Sequence, residues 1–234
     1  MKNTTLLFAI SFATILLASL IAMGEIPQAI AENDDKDKND TQMTEESERR
    51  FDKKPSFVSD QCIVTDFAKN NLPQESLDLL DCKMRAWLDN KGMALKYKIN
   101  ISGMQLIDDN GSTVDDVNQM HIHKNILGTQ DNPQGPHQLN VFREPNFDDS
   151  DVFIKPVQGV IQGIWTDEDE NLSYGEPDNS HTLTENLALL CDSQIFSAAH
   201  GDAEDRPGHK APYFKMLLEP TKEGEKICKK LGFE

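Results

Sequence analysis

Residues 93–102 read Met93-Ala94-Leu95-Lys96-Tyr97-Lys98-Ile99-Asn100-Ile101-Ser102, and this stretch decides the fold. Leu95, Tyr97, Ile99 and Ile101 alternate with Lys96, Lys98 and Asn100. A period of two is that of a strand with one face in a core and the other in water. Asp89-Asn90-Lys91-Gly92 just before it is a turn signal. Upstream, Cys82, Met84, Ala86 and Leu88 alternate with Lys83, Arg85 and Trp87, so a hairpin over 82–101 is expected. Leu77, Leu80, Met84 and Trp87 also keep helical spacing; the turn chemistry favours the hairpin and leaves a short helix for 73–81.

Further strands are expected at 118–123, 137–143, 157–165, 194–200 and 212–218. Thr182 to Leu190 carries Leu183, Leu187 and Leu190 at the spacing of one or two helical turns, and 166–181 reads as an acidic loop. Many short strands separated by Gly, Pro, Asn and Asp give an all-β chain: a Greek-key-like antiparallel β-sandwich with short helical turns. There is no internal repeat and no Rossmann, P-loop or G-x-S-x-G signature.

The two ends read differently from this middle. Lys2 followed by an apolar stretch from Leu6 to Met23 and a small-x-small site at Ala29-Ile30-Ala31 is the pattern of a secretory signal peptide over 1–31. An uncleaved anchor is the alternative, because the stretch approaches the lower length for a span. Residues 32–55 are almost all polar or charged, too poor in apolar surface to order themselves, and are expected to form an acidic disordered linker. The domain is then 56–234, enough chain for a single core. The chain carries a net charge of −17, and Lys2 and Glu25 cancel within the leader. That balance argues against nucleic acid and anionic membrane surfaces as partners. Cys62, Cys82, Cys191 and Cys228 form an even set behind a signal peptide, which implies two disulfides with three pairings open. Local closure favours Cys62–Cys82 and Cys191–Cys228, and the absence of C-x-x-C argues against a thiolate metal site. The expected location is secreted or extracytoplasmic, with cell-surface anchoring as the variant.

His121-Ile122-His123 carries the chemistry. On a strand the two imidazoles share one face, with Met120 and Ile122 on the other. Gly135-Pro136-His137 follows a loop later, and Phe196-Ser197-Ala198-Ala199-His200 reads as another strand. A lone strand histidine is more often a hydrogen-bonded structural residue than a ligand. An H-x-H pair with a late strand histidine instead offers a convergent imidazole set, which suits copper, zinc, iron or nickel. The expected metal ligands are His121, His123 and His200, with His137 as a fourth ligand or a supporting donor. His181 and His209 sit in turn-rich loops and are expected to be solvated.

Taken in order, LKYKINISGM (95–104), MHIHKNILGTQDNPQGPHQLNVF (120–142), VQGVIQGIW (157–165), LALLCDSQIFSAAHG (187–201) and APYFKMLL (211–218) resemble the CHRD domain, first described in chordin. His121 and His123 match that family's HIH pair, Gly135-Pro136 its loop end and His200 its late histidine, over residues 82–220. Its E-V-P-P and G-E-I-R-G-Q elements have no counterpart here, and Ala199-His200-Gly201 replaces V-H-T. The resemblance implies a secreted β-sandwich module that engages extracellular partners, with no well-established enzymatic activity. The histidine pattern also resembles copper–zinc superoxide dismutase. That likeness implies copper on His121, His123, His137 and His200, with His137 bridging to zinc and Asp202, Glu204 and Asp205 following the late ligand. The zinc loop is missing and the C-terminal run from Lys226 to Lys230 has no arginine. Three readings follow: a secreted copper-binding sandwich (zinc as the other metal), a metal-free extracellular interaction module, and a copper-only dismutase-like enzyme.

Overall fold

In the computed structural model, the structure describes residues 51, 53–106, 116–142, 151–170, 181–201 and 211–233. The expected signal peptide lies outside the described residues, as do residues 32–50 and 52 of the expected linker. So do residues 171–180 of the acidic loop, and Asp202, Glu204, Asp205 and His209.

The described chain opens with two short strands, β1 (Phe57–Ser59) and β2 (Ile63–Val64), and two short helices, α1 (Asp66–Asn71) and α2 (Gln74–Leu79). The hairpin follows as β3 (Asp81–Leu88) and β4 (Ala94–Ser102). Strands β5 (Gln105–Leu106) and β6 (Asp116–Val117) form a small parallel pair, ahead of β7 (Gln119–Lys124) and β8 (His137–Phe142). Next come β9 (Phe153–Lys155) and β10 (Val160–Thr166), then helix α3 (Leu183–Cys191) and β11 (Ile195–His200). The chain closes with β12 (Phe214–Leu217), β13 (Glu219–Pro220) and helix α4 (Lys222–Leu231).

Two antiparallel sheets make an all-β sandwich. One is ordered β13-β1-β3-β4-β10-β9 and the other β2-β12-β11-β7-β8. The chain crosses between the two sheets after β1, β2, β4, β8, β10 and β12, which is the Greek-key-like exchange expected. The 82–101 hairpin forms in the register its alternation demands, with Cys82 opposite Ile101, Met84 opposite Ile99, Ala86 opposite Tyr97 and Leu88 opposite Leu95. The Asp89 carboxylate accepts from the backbone N–H of Lys91 and Met93, and Gly92 takes a positive φ of 74° to close the turn. These pairs face a single core shared by both sheets: Met84, Tyr97, Ile99 and Trp165 from one, Met120, Ile122, Leu139, Phe214 and Met216 from the other.

The sheets differ in one respect that positions the site. Strands β3, β4 and β10 alternate between buried and partly or fully exposed positions, so the first sheet has a wet face. In β8, β11 and β12 almost every residue is buried, and so are the four central residues of β7, so the second sheet is covered on both faces.

Several boundaries differ from expectation. The strand expected at 157–165 is β10, one residue later at its end and preceded by a 3-10 turn at Pro156–Gln158. The stretch from Thr182 resolves as α3, capped by the Thr182 hydroxyl, which accepts from Glu185 N–H. Helix α4 was not expected, although Thr221 at its start and Gly232 at its end are proper caps. Residues before 56 also contact the sandwich. The Phe51 ring packs edge-on to Trp87 at 4.6 Å, and the Lys53 carbonyl accepts from the Trp87 indole at 2.8 Å. An aromatic pair on the outer face of β3 thus holds the end of an otherwise polar run.

Both favoured disulfides are present, Cys62–Cys82 and Cys191–Cys228, with no free cysteine. Two disulfides fit an oxidising compartment. Among the described residues no helix is long and apolar enough to cross a membrane. The second disulfide closes a span of 37 residues and ties α3 to α4. On the loop-entropy model a closure of that size contributes about 4 kcal/mol. The Cys191→Ala/Cys228→Ala double variant should therefore lose about 2–4 kcal/mol in urea unfolding; a loss below about 1 kcal/mol would show that α3 and α4 dock without the covalent tie.

Candidate metal centre

Strand β7 sends Met120 and Ile122 into the core and His121 and His123 to the outer face of the second sheet. Its neighbour β11 is central in that sheet, between β7 and β12. His121 lies opposite Ala198 and His123 opposite Phe196, while His200 is opposite Gln119 and so diagonal to His121. Ala198, directly across from His121, is a small side chain on the same face as the rings.

His137 reaches the same face by a different route. Ile122 pairs with Leu139, and a regular antiparallel ladder would then put Gln138 opposite His123. The register shifts at this point, and His137 stands opposite His123 instead. A bulge adds one residue and re-aims the side chains beyond it. Here it turns His137 onto the imidazole face.

The rings form one group. His121 lies 4.1 Å from His137 and 5.1 Å from His200, centroid to centroid. His123 lies 4.4 Å from His137, 5.8 Å from His121 and 6.4 Å from His200. One ligand atom each from His121, His123 and His200 can be chosen so that all lie within 4.8 Å of one another, the arrangement that could hold a metal ion. His137 stands against two of these rings but outside that tight triad. The three are 3%, 7% and 8% exposed, so the group is almost fully withdrawn from solvent.

His123 shows how such a ring is oriented. Its Nδ1 lies 3.0 Å from the Gly135 carbonyl oxygen. A carbonyl only accepts, so Nδ1 carries the hydrogen and Nε2 keeps a lone pair. That Nε2 is buried without a hydrogen-bond partner. Metal-bound histidines commonly donate their second ring N–H to a carbonyl in this way. The Gly135 carbonyl is brought there by close backbone approach: a Cβ on Gly135 would overlap the Lys124 carbonyl oxygen. Phe196 lies flat on the other side of His123, 4.9 Å away with 13° between the planes. Burial, and then the neighbouring His137 and His121, hold the His123 pKa well below the usual 6.5, so the ring is neutral at pH 7.

The remaining imidazole of the described chain is elsewhere. His181 sits beside the α3 cap with Nδ1 3.6 Å from the Glu185 carboxylate, and its side chain is 16% exposed. It is thus largely covered rather than solvated. The alternation signal put His121 and His123 on one face, as observed, but gave no sign that Phe196 and the Gly135 carbonyl would lie against His123. The G-P-H run was the only trace of the latter. No protein-family model and no curated protein matches this chain.

The depressed pKa fixes a pH dependence for the metal-free protein. Between the unfolded value of 6.5 and the lower folded value, the unfolded chain binds a proton that the native chain refuses. Stability is then full above pH 6.5 and falls as pH drops, by up to about 1.4 kcal/mol per unit for this one group. Urea unfolding at pH 7.5 and pH 5.5 should show that loss, and His123→Gln should reduce it. Equal pH slopes in parent and variant would mean that His123 is not held neutral by the fold.

Proposed function

We propose that this chain is a secreted β-sandwich protein, of the CHRD kind in its sequence pattern, that binds one transition-metal ion, copper by preference. The ligands are His121, His123 and His200, with His137 beside them as a weaker fourth donor or a supporting group. The observation that carries the reading is the His123 ring. Its Nδ1–H is taken by Gly135, and its buried Nε2 has no hydrogen-bond partner. A buried polar atom left without a partner costs free energy, and an ion at that point removes the deficit. Two imidazole nitrogens on one ion lie at most about 4 Å apart at metal–nitrogen distances of about 2.0–2.1 Å. The triad's ligand atoms lie within 4.8 Å of one another, close to that span.

The donor set favours copper. All four cysteines are in disulfides, which removes thiolate ligands. Among the described residues the triad contains imidazoles alone. Such a set binds divalent copper more tightly than zinc, nickel or iron, and zinc is the next metal to test. Copper bound there would supply a redox-active centre. Near-complete burial of the rings favours holding the ion over turning over a substrate at an open position, so storage or delivery is preferred to dismutase-like catalysis.

The test is reconstitution of the metal-stripped chain with Cu(II). The expected result is one copper per chain by elemental analysis, a type-2 copper EPR signal, and a melting temperature that rises with copper and falls with a chelator. Free copper at 100 times Kd adds about 2.7 kcal/mol. His121→Ala, His123→Ala and His200→Ala should each abolish stoichiometric binding. His137→Ala should weaken it about 10–100-fold, and His181→Ala should leave it at the parent level. A folded protein that takes up no metal and ignores chelators would instead support the interaction-module reading; superoxide consumption above a free-copper blank would support the enzyme.

A further inference from the structure

Lys215 is an unusual residue for its place. It lies on β12, opposite Ala198, on the same outer face as the imidazoles, and is only 8% exposed. A lysine that merely filled space there would be replaced with advantage by methionine or leucine, because burying an ammonium is costly. Burial indeed pushes its pKa below the ordinary lysine value. What the ammonium does is directional. Nζ donates to the Pro133 carbonyl at 2.7 Å and to the Asn132 side-chain oxygen at 3.2 Å. It also stands 5.9 Å from the centre of the Phe196 ring, the same ring that lies flat on His123.

Asn132 and Pro133 belong to the 125–136 connection between β7 and β8, which therefore reaches across the sheet from one edge to β12. The connection is braced internally. The Asn125 side chain accepts from Gln134 N–H at 2.9 Å and donates to the Thr129 carbonyl at 3.2 Å, and Leu127 N–H donates to the Gln134 carbonyl at 3.0 Å. Gln134 adjoins Gly135, whose carbonyl sets the His123 tautomer. The far end of this braced loop is fastened by Lys215, and its near end orients His123.

We propose that Lys215 is a positioning residue for the metal centre: it pins the 125–136 loop through Asn132 and Pro133, and so holds the Gly135 carbonyl where it fixes His123 as the Nδ1–H tautomer with Nε2 free to ligate. The inference rests on the copper reading for its consequence, but the tautomer itself is a property of the metal-free protein.

The experiment is nitrogen-15 NMR of histidine-labelled, metal-free full-length chain, with copper titration of the same samples. The parent should show His123 as a single Nδ1–H tautomer. Lys215→Met, which keeps length and removes the charge, should mix the tautomers and weaken copper binding about 10–100-fold. Lys215→Arg, which keeps donors to the loop, should restore most of both. Should Lys215→Met fail to fold, Asn132→Ala removes one of the two acceptors from the other side and should shift tautomer and affinity the same way by less. A pure Nδ1–H tautomer in Lys215→Met, or in Asn132→Ala if only that variant folds, overturns the proposal whatever the copper result. A parent that binds no copper while Lys215→Met mixes the tautomers leaves the positioning role standing and removes the metal reading.

Discussion

The five-stranded sheet has to bury two faces, and only one of them is made of hydrocarbon. Met120, Ile122, Leu139, Phe214 and Met216 meet the opposite sheet in the ordinary way. The outer face presents His121, His123, Asn140, His200 and Lys215 together with Phe196, Ala198 and Leu217, all buried. Buried polar groups are tolerated when each finds a partner. Two of these residues draw partners from the loop that connects β7 and β8. Lys215 takes Asn132 and Pro133, and His123 takes Gly135. His123 Nε2 is buried without a hydrogen-bond partner, and the proposed metal site rests on that atom.

The same constraint accounts for features that look unrelated. Gly135 has no room for a side chain because its carbonyl is wanted under an imidazole and its Cα lies against the Lys124 carbonyl. Ala198 is small because His121 stands opposite it. The bulge that carries Gln138 costs a regular ladder, and it places His137 against both rings of the H-x-H pair.

Much of this was legible in the sequence because the first sheet obeys a simple rule. The MALKYKINIS alternation has one wet face and one dry face, so its period of two reveals strand, register and core side together. The disulfides were legible because local closure was the geometry the fold adopts. In the second sheet the alternation of polarity still separates His121 and His123 from Met120 and Ile122, although burial does not alternate. What the sequence hid was set by long-range contact. The bulge at Gln138 depends on how two strands slip past one another. The reach of Asn132 to Lys215 joins positions 83 residues apart, and Lys215 alone reads as an exposed strand lysine. Helix α4 (Lys222–Leu231) stands outside the expected elements, although Ile227, Cys228 and Leu231 keep helical spacing and its caps are in plain view. At the end of the polar run, Phe51 and the Lys53 carbonyl both meet Trp87, contacts that polarity alone does not reveal.

The central claim is that the outer face of the second sheet holds a metal ion on imidazole nitrogens. The most direct measurement is anomalous-difference diffraction from a crystal of the copper-loaded chain, recorded on both sides of the copper absorption edge. The expected result is one copper peak per chain, bonded to Nε2 of His123 and to ring nitrogens of His121 and His200. A peak beside His181 and Glu185, or anywhere away from β7 and β11, would contradict the claim, and so would a well-ordered imidazole cluster with no peak at all.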